Sequence, residues 1–98
     1  MTISPQPLTP AEMKALAPTL QAARIILANV SDASGVPVKA IMGRNRRQPV
    51  ALARQMACYK MVQAGMSSVQ VGDLMDLHPT TVTHACEAVT ARMAEALA

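Results

Sequence analysis

At 98 residues the chain has room for one small domain around one hydrophobic core, and that size argues against a self-contained enzyme with a water-excluding pocket. Its composition is 51% hydrophobic and 15% charged, with eight Met, one Tyr and no Phe or Trp; this excludes a disordered chain and favours helices carrying Leu, Met, Ala and Val over a β-sandwich. The net charge is only +3, yet from Ala33 to Gly72 there is no acidic residue and there are six basic ones, Lys39, Arg44, Arg46, Arg47, Arg54 and Lys60, a cationic stretch that suits a polyanion such as nucleic acid.

Residues 1–8, with Pro5 and Pro7, read as a flexible lead-in to a single helical domain over residues 9–98. Thr9-Pro10-Ala11-Glu12 has the form of a capping box, with proline at the first helical position. Pro18 predicts a kink or a restart. The helix then continues through Ala22, Ile25, Ile26, Leu27 and Val30 as far as Gly35, a left-handed terminator. Val36 to Met42 forms one or two helical turns, and Gly43 to Gln48 is a polar basic loop closed by Pro49.

Ala51 to Ala64 is rich in strong helix formers, and Ala53, Met56, Ala57, Met61 and Ala64 recur at three- and four-residue steps, which predicts one buried face. Gly65 ends that helix. Ser67-Ser68-Val69-Gln70 is a second capping box and opens a short helix through Leu74 and Met75. Asp76, Leu77 and His78 form a tight turn, and Pro79 opens the last helix. There Val82, Ala85, Cys86, Val89, Met93 and Leu97 make an apolar stripe, with Thr80, Thr81, Thr83, His84 and Glu87 largely off it. The expected fold is all-α, a small bundle of four to six helices containing a helix-turn-helix over residues 68–97.

A short helix, a tight turn and a longer helix with a polar, uncharged tip can lay that second helix in the major groove of DNA. Thr80 and Thr81 offer hydroxyls to base edges and methyls to thymine, and His84 lies one turn further along. Free amides at the helix tip favour phosphate. A loop of Arg44, Arg46 and Arg47 can enter a minor groove or hold phosphates. Arg54 suits guanine or phosphate and Gln55 suits adenine. The blander readings are a solvated loop, a surface ion pair and threonines that merely cap a helix.

These residues together resemble the C-terminal DNA-binding domain of the bacterial chromosomal replication initiator, DnaA. The matching stretches are Arg46 with its loop, Ala53-Arg54-Gln55-Met56-Ala57, Val71-Gly72-Asp73 and Thr80-Thr81-Val82-Thr83-His84-Ala85-Cys86, in one order over roughly residues 26–93. The resemblance implies that Arg46 enters the minor groove and that Arg54 and Gln55 contact the duplex. It also implies that Thr80, Thr81 and His84 face the major groove or its phosphates. The family's Asp-His pair before the two threonines is His78-Pro79 here, and a histidine cannot accept from cytosine as a carboxylate does, so the change points to a related or relaxed target sequence. A basic residue the family often carries later in the Arg-Gln helix falls near Val62, which leaves Lys60 as the candidate for that phosphate contact.

No Gly-rich loop leads into Lys-Ser/Thr, so the expectation is a stand-alone reader without nucleotide, cofactor or ATPase half. Cys58, Cys86, His78 and His84 lack the spacing of a metal site, and neither thiol has an acid or base arranged around it for catalysis. With two cysteines, no signal peptide and no membrane-spanning stretch, the default setting is the bacterial cytoplasm, beside the nucleoid. The partner is then double-stranded DNA, with RNA polymerase or another regulatory protein as candidates for the N-terminal helices before Ile26. The favoured role is a transcriptional regulator of a phage, prophage or host operon. The alternatives are a replication regulator that competes for initiator boxes, and a protein-interaction module that kept the fold and lost DNA binding.

Overall fold

The computed structural model describes the backbone of residues 10–97 and the side chains of residues 20–97. The lead-in over residues 1–8 and the Thr9 cap lie outside the described residues. Five helices follow one another: α1 (Pro10–Ser34), α2 (Val38–Ile41), α3 (Gln48–Gln63), α4 (Ser68–Met75) and α5 (Pro79–Leu97). Every described element is a helix, as the Met-rich, aromatic-poor composition implies.

The boundaries follow from local chemistry. Helix α1 stops where Gly35 takes up φ +74°, a conformation that costs glycine nothing. Arg47 in extended backbone precedes α3, and Pro49 sits in its first turn where a missing amide hydrogen does no harm. At the start of α4 the Ser67 hydroxyl accepts from the Gln70 amide at 3.1 Å, while the Gln70 side chain accepts from the Ser67 amide at 2.9 Å. The capping box anticipated from Ser67 to Gln70 is therefore complete.

Helix α3 is the hub, packing against α1, α2, α4 and α5, while α4 and α5 pack on each other. It presents Ala53, Ala57, Cys58 and Met61 to the interior. Ala23, Leu27 and Val30 reach it from α1, Ile41 from α2, Val71 and Met75 from α4, and Val82, Ala85 and Val89 from α5. Each fully buried Ile, Met or Val contributes about 1.5–3 kcal/mol relative to an exposed one.

Three expectations are corrected. Helix α1 runs unbroken through Pro18, so no restart occurs; proline removes one amide donor, and the turns on either side carry the helix across. Ala64 is exposed, because α3 ends at Gln63 and its buried face is Ala53, Ala57, Cys58 and Met61. On α5 the stripe stops at Val89: Met93 is 46% and Leu97 89% exposed, since the helix outruns the elements that cover its first half.

The connection between α4 and α5 is tight for a steric reason. The Leu77 amide donates to the Gly72 carbonyl at 2.8 Å, and a Cβ on Gly72 would stand 2.5 Å from the Leu77 carbonyl oxygen. Asp76 closes the turn in the left-handed region at φ 56°, which Asp tolerates better than most side chains.

Candidate nucleic-acid interface

A groove of about 630 Å³ opens between α3, α5, the α2–α3 loop and the α4–α5 turn. Each helical wall is one face of a helix. Ala51, Arg54, Gln55 and Cys58 come from α3, and Thr81, His84, Ala85 and Ala88 from α5. Both sets follow the i, i+3, i+4, i+7 spacing that stacks side chains above one another. Arg44 and Arg46 close one end from the loop, and Asp76 and Leu77 from the turn. Arg46 of the loop and Thr81 near the tip of α5, 35 residues apart in sequence, thus share one concave surface.

The residues singled out from the sequence divide accordingly. Arg44, Arg46, Arg54, Gln55, Thr81 and His84 line the groove. Arg47, His78 and Thr80 are exposed just outside it, with Thr80 one helical step round from Thr81. Lys60 stands elsewhere, on a second, shallower groove between α1 and α3 that it shares with Arg92, Val30 and Leu52. Five residues beyond Gln55, a helix has turned about 140° away, so the spacing itself carries that separation.

Arg54 is occupied within the fold. Its Nε donates to the Ile41 carbonyl at 2.8 Å, Nη2 to the Ala40 carbonyl at 3.2 Å and Nη1 to the Asn45 carbonyl at 3.0 Å. One planar guanidinium therefore clamps the end of α2 and the loop that carries Arg44 and Arg46. The loop is tightened further by the Arg47 amide, which donates to Asn45 Oδ1 at 2.9 Å.

Arg44 reaches across the groove mouth to Asp76, Nη2 to Oδ2 at 3.0 Å, with both side chains more than four-fifths exposed. Such a pair adds little stability in water. It does tether the loop to the turn and places a carboxylate beside the arginines. Sequence reading passed over Asp76 as a turn residue; 32 residues separate it from Arg44, and no local signal pairs the two.

Gln55 is engaged as well: its Oε1 accepts from Arg92 Nη1 at 2.7 Å. The bidentate pairing of glutamine with adenine uses both amide atoms, and one of them is turned toward Arg92. At the start of α5, His78 acts as the cap. Its Nδ1 accepts from the Thr80 amide at 3.1 Å and its carbonyl from the Val82 amide at 3.2 Å. Thr83 turns its hydroxyl back to the Pro79 carbonyl at 3.2 Å.

Burial raises the titration of both thiols. Desolvation pushes Cys58 up to about 11, with a smaller contribution from neighbouring Cys86 and a partial offset from Arg54. Desolvation raises Cys86 too, with Glu87 adding to it. Among the described residues, no group of three His, Cys, Asp or Glu is placed to hold a metal ion.

Residues 23–89, more than two thirds of the chain, match the family described as bacterial DnaA protein helix-turn-helix. The chain belongs to that family. The matched segment begins at Ala23, the first buried residue among the described side chains of α1, and ends at Val89, the last buried residue of α5. The DnaA helix-turn-helix match thus spans the packed core and both walls of the groove. No solved structure matches the chain. As a member of a DNA-binding helix-turn-helix family it has duplex DNA as its expected class of partner. No helix among the described residues is long and apolar enough to cross a membrane.

Proposed function

We propose that the protein is a sequence-specific reader of double-stranded DNA that acts as a transcriptional regulator. The tip of α5 lies in the major groove, and the α2–α3 loop reaches the neighbouring minor groove or its phosphates. What supports this reading is the convergence of Arg44 and Arg46 with Thr81 and His84 on one concave face of a DnaA-type helix-turn-helix. Guanidinium groups supply the sequence-independent attraction, and the threonine hydroxyls and methyls at the helix tip supply discrimination between bases. His84 offers a donor or an acceptor one turn deeper.

A target other than the initiator's box is favoured because His78 is committed to capping α5 and Pro79 has no side-chain donor or acceptor. That favours regulation of an operon over competition at initiator boxes. Selection of bound sequences from random duplexes tests both statements. Recovery of a motif distinct from the initiator box supports the regulatory reading; recovery of that box turns the reading to replication control.

With about four to six phosphate contacts, affinity falls roughly a hundred- to a thousand-fold between 50 and 200 mM salt. Arg46→Ala and Thr81→Ala each cost about 1–3 kcal/mol on the selected duplex and blur its preference. Lys60→Ala, on the other side of α3, changes binding less than about two-fold. A salt-independent affinity, or equal losses for all three variants, refutes the assignment of this groove.

A further inference from the structure

We infer that Arg92 is a positioning residue for DNA recognition: by holding Gln55 Oε1, it fixes the Gln55 carboxamide as a hydrogen-bond donor toward the duplex. This rests on the DNA-binding reading above and names which residue sets the polarity of that site. The contact runs from Arg92 Nη1 on α5 to Gln55 Oε1 on α3, 37 residues apart, at 2.7 Å and partly buried.

Chemistry settles which way the amide faces. A guanidinium has donors and no acceptor, so only the oxygen of Gln55 can meet it. A charge-assisted bond of this length is also stronger than one between neutral groups. Gln55 lines the recognition groove, whereas Arg92 lines the second groove on the far side of α3. Arg92 thus acts from behind, and the donor end of the carboxamide remains for the duplex.

A fixed donor seeks an acceptor. Phosphate oxygens and the N7 and O6 edge of guanine both qualify, whereas the N4 amino group of cytosine does not. Free to flip, the same amide would present donor or acceptor alike and discriminate less. Arg92 therefore narrows what Gln55 can recognise without touching DNA itself.

The test is a double-mutant cycle on the full chain, with Arg92→Met, Gln55→Met, the combined variant and Arg92→Lys. Affinity is measured for the selected duplex and for random duplex at fixed salt, together with thermal unfolding of each protein. Gln55→Met weakens binding about five-fold, the equivalent of one hydrogen bond. Arg92→Met reproduces most of that loss, the combined variant loses no more than Gln55→Met alone, and Arg92→Lys, which can still donate to Oε1, restores binding. Equal losses on both duplexes identify phosphate as the acceptor. A loss confined to the selected duplex, with cytosine newly tolerated at one position, identifies a base edge.

Additive losses overturn the inference, because Arg92 then acts independently of Gln55. So does a normal affinity for Arg92→Met beside a weakened Gln55→Met. An Arg92→Met loss that Lys fails to restore, tracking a fall in unfolding temperature, also overturns it by making the role structural. If the unmodified protein binds no duplex at all, it is the DNA-binding reading that fails first, and this inference falls with it.

Discussion

Replacing Arg54 by Met keeps the stem of the side chain and removes the guanidinium that clamps the α2–α3 loop. Two of its three bonds, at 2.8 and 3.2 Å, are partly buried and the third is exposed. Hydrogen bonds to a charged donor contribute about 1.5–3 kcal/mol when shielded and less in water. Ile41 is wholly buried, and Arg54 is the partner that its carbonyl finds across the loop. Losing the guanidinium removes those bonds and leaves that carbonyl poorly satisfied, so the expected destabilisation is about 3 kcal/mol. Urea unfolding reads this directly. With a slope near 1–2 kcal/mol per molar for a chain of this size, the midpoint falls by roughly 2 M. Arg54→Lys restores only about a third of the loss, since a single ammonium cannot reproduce a planar fork. Stability within about 0.5 kcal/mol of the unmodified protein in Arg54→Met, or full rescue by Lys, would refute the clamp and return Arg54 to being a surface cation.

Three further outcomes concern the core. Gly72→Ala pushes a methyl against the Leu77 carbonyl oxygen and strains the bond that closes the turn, costing about 1–3 kcal/mol and loosening α4 from α5; the melting temperature in differential scanning fluorimetry and the duplex affinity should fall together, and an unchanged melting temperature contradicts the steric argument. In thiol titration at pH 8, half-buried Cys86 reacts in the native state and buried Cys58 only on unfolding; equal rates for both would contradict the burial of Cys58. Because the folded Cys58 thiol titrates near 11 rather than 9, the stability it contributes is intact below about pH 9 and is lost as pH rises from there toward 11. Cys58→Ala should flatten the alkaline slope of stability measured in urea, and an identical slope in the variant counts against it.

Helix ends were the most legible part of the fold, because they are set by one or two residues: Gly35, Pro49, the Ser67–Gln70 box and Pro79 each stand where their chemistry places them. The apolar periodicity was right in the middle of α3 and α5 and failed toward their ends, at Ala64, Met93 and Leu97. Periodicity records which side of a helix is apolar and says nothing of how far its neighbour extends. The groove was legible in outline, since Arg44, Arg46, Thr81 and His84 do meet. The partnerships inside it were not. Arg54 reaches carbonyls 9 to 14 residues back, Arg92 reaches Gln55 from 37 residues away, and Arg44 finds Asp76 over 32. Such bonds depend on tertiary approach, which no local spacing encodes.

The cap on α5 changes what that helix can offer an anion. Of its first three residues, Pro79 has no amide hydrogen and the Thr80 amide already serves the imidazole. Only Thr81 remains to supply a main-chain donor there. A phosphate arriving at this end meets a helix with a single free main-chain donor, so most of the grip on the strand falls to guanidinium groups across the cleft, and the tip is left to discriminate rather than to hold.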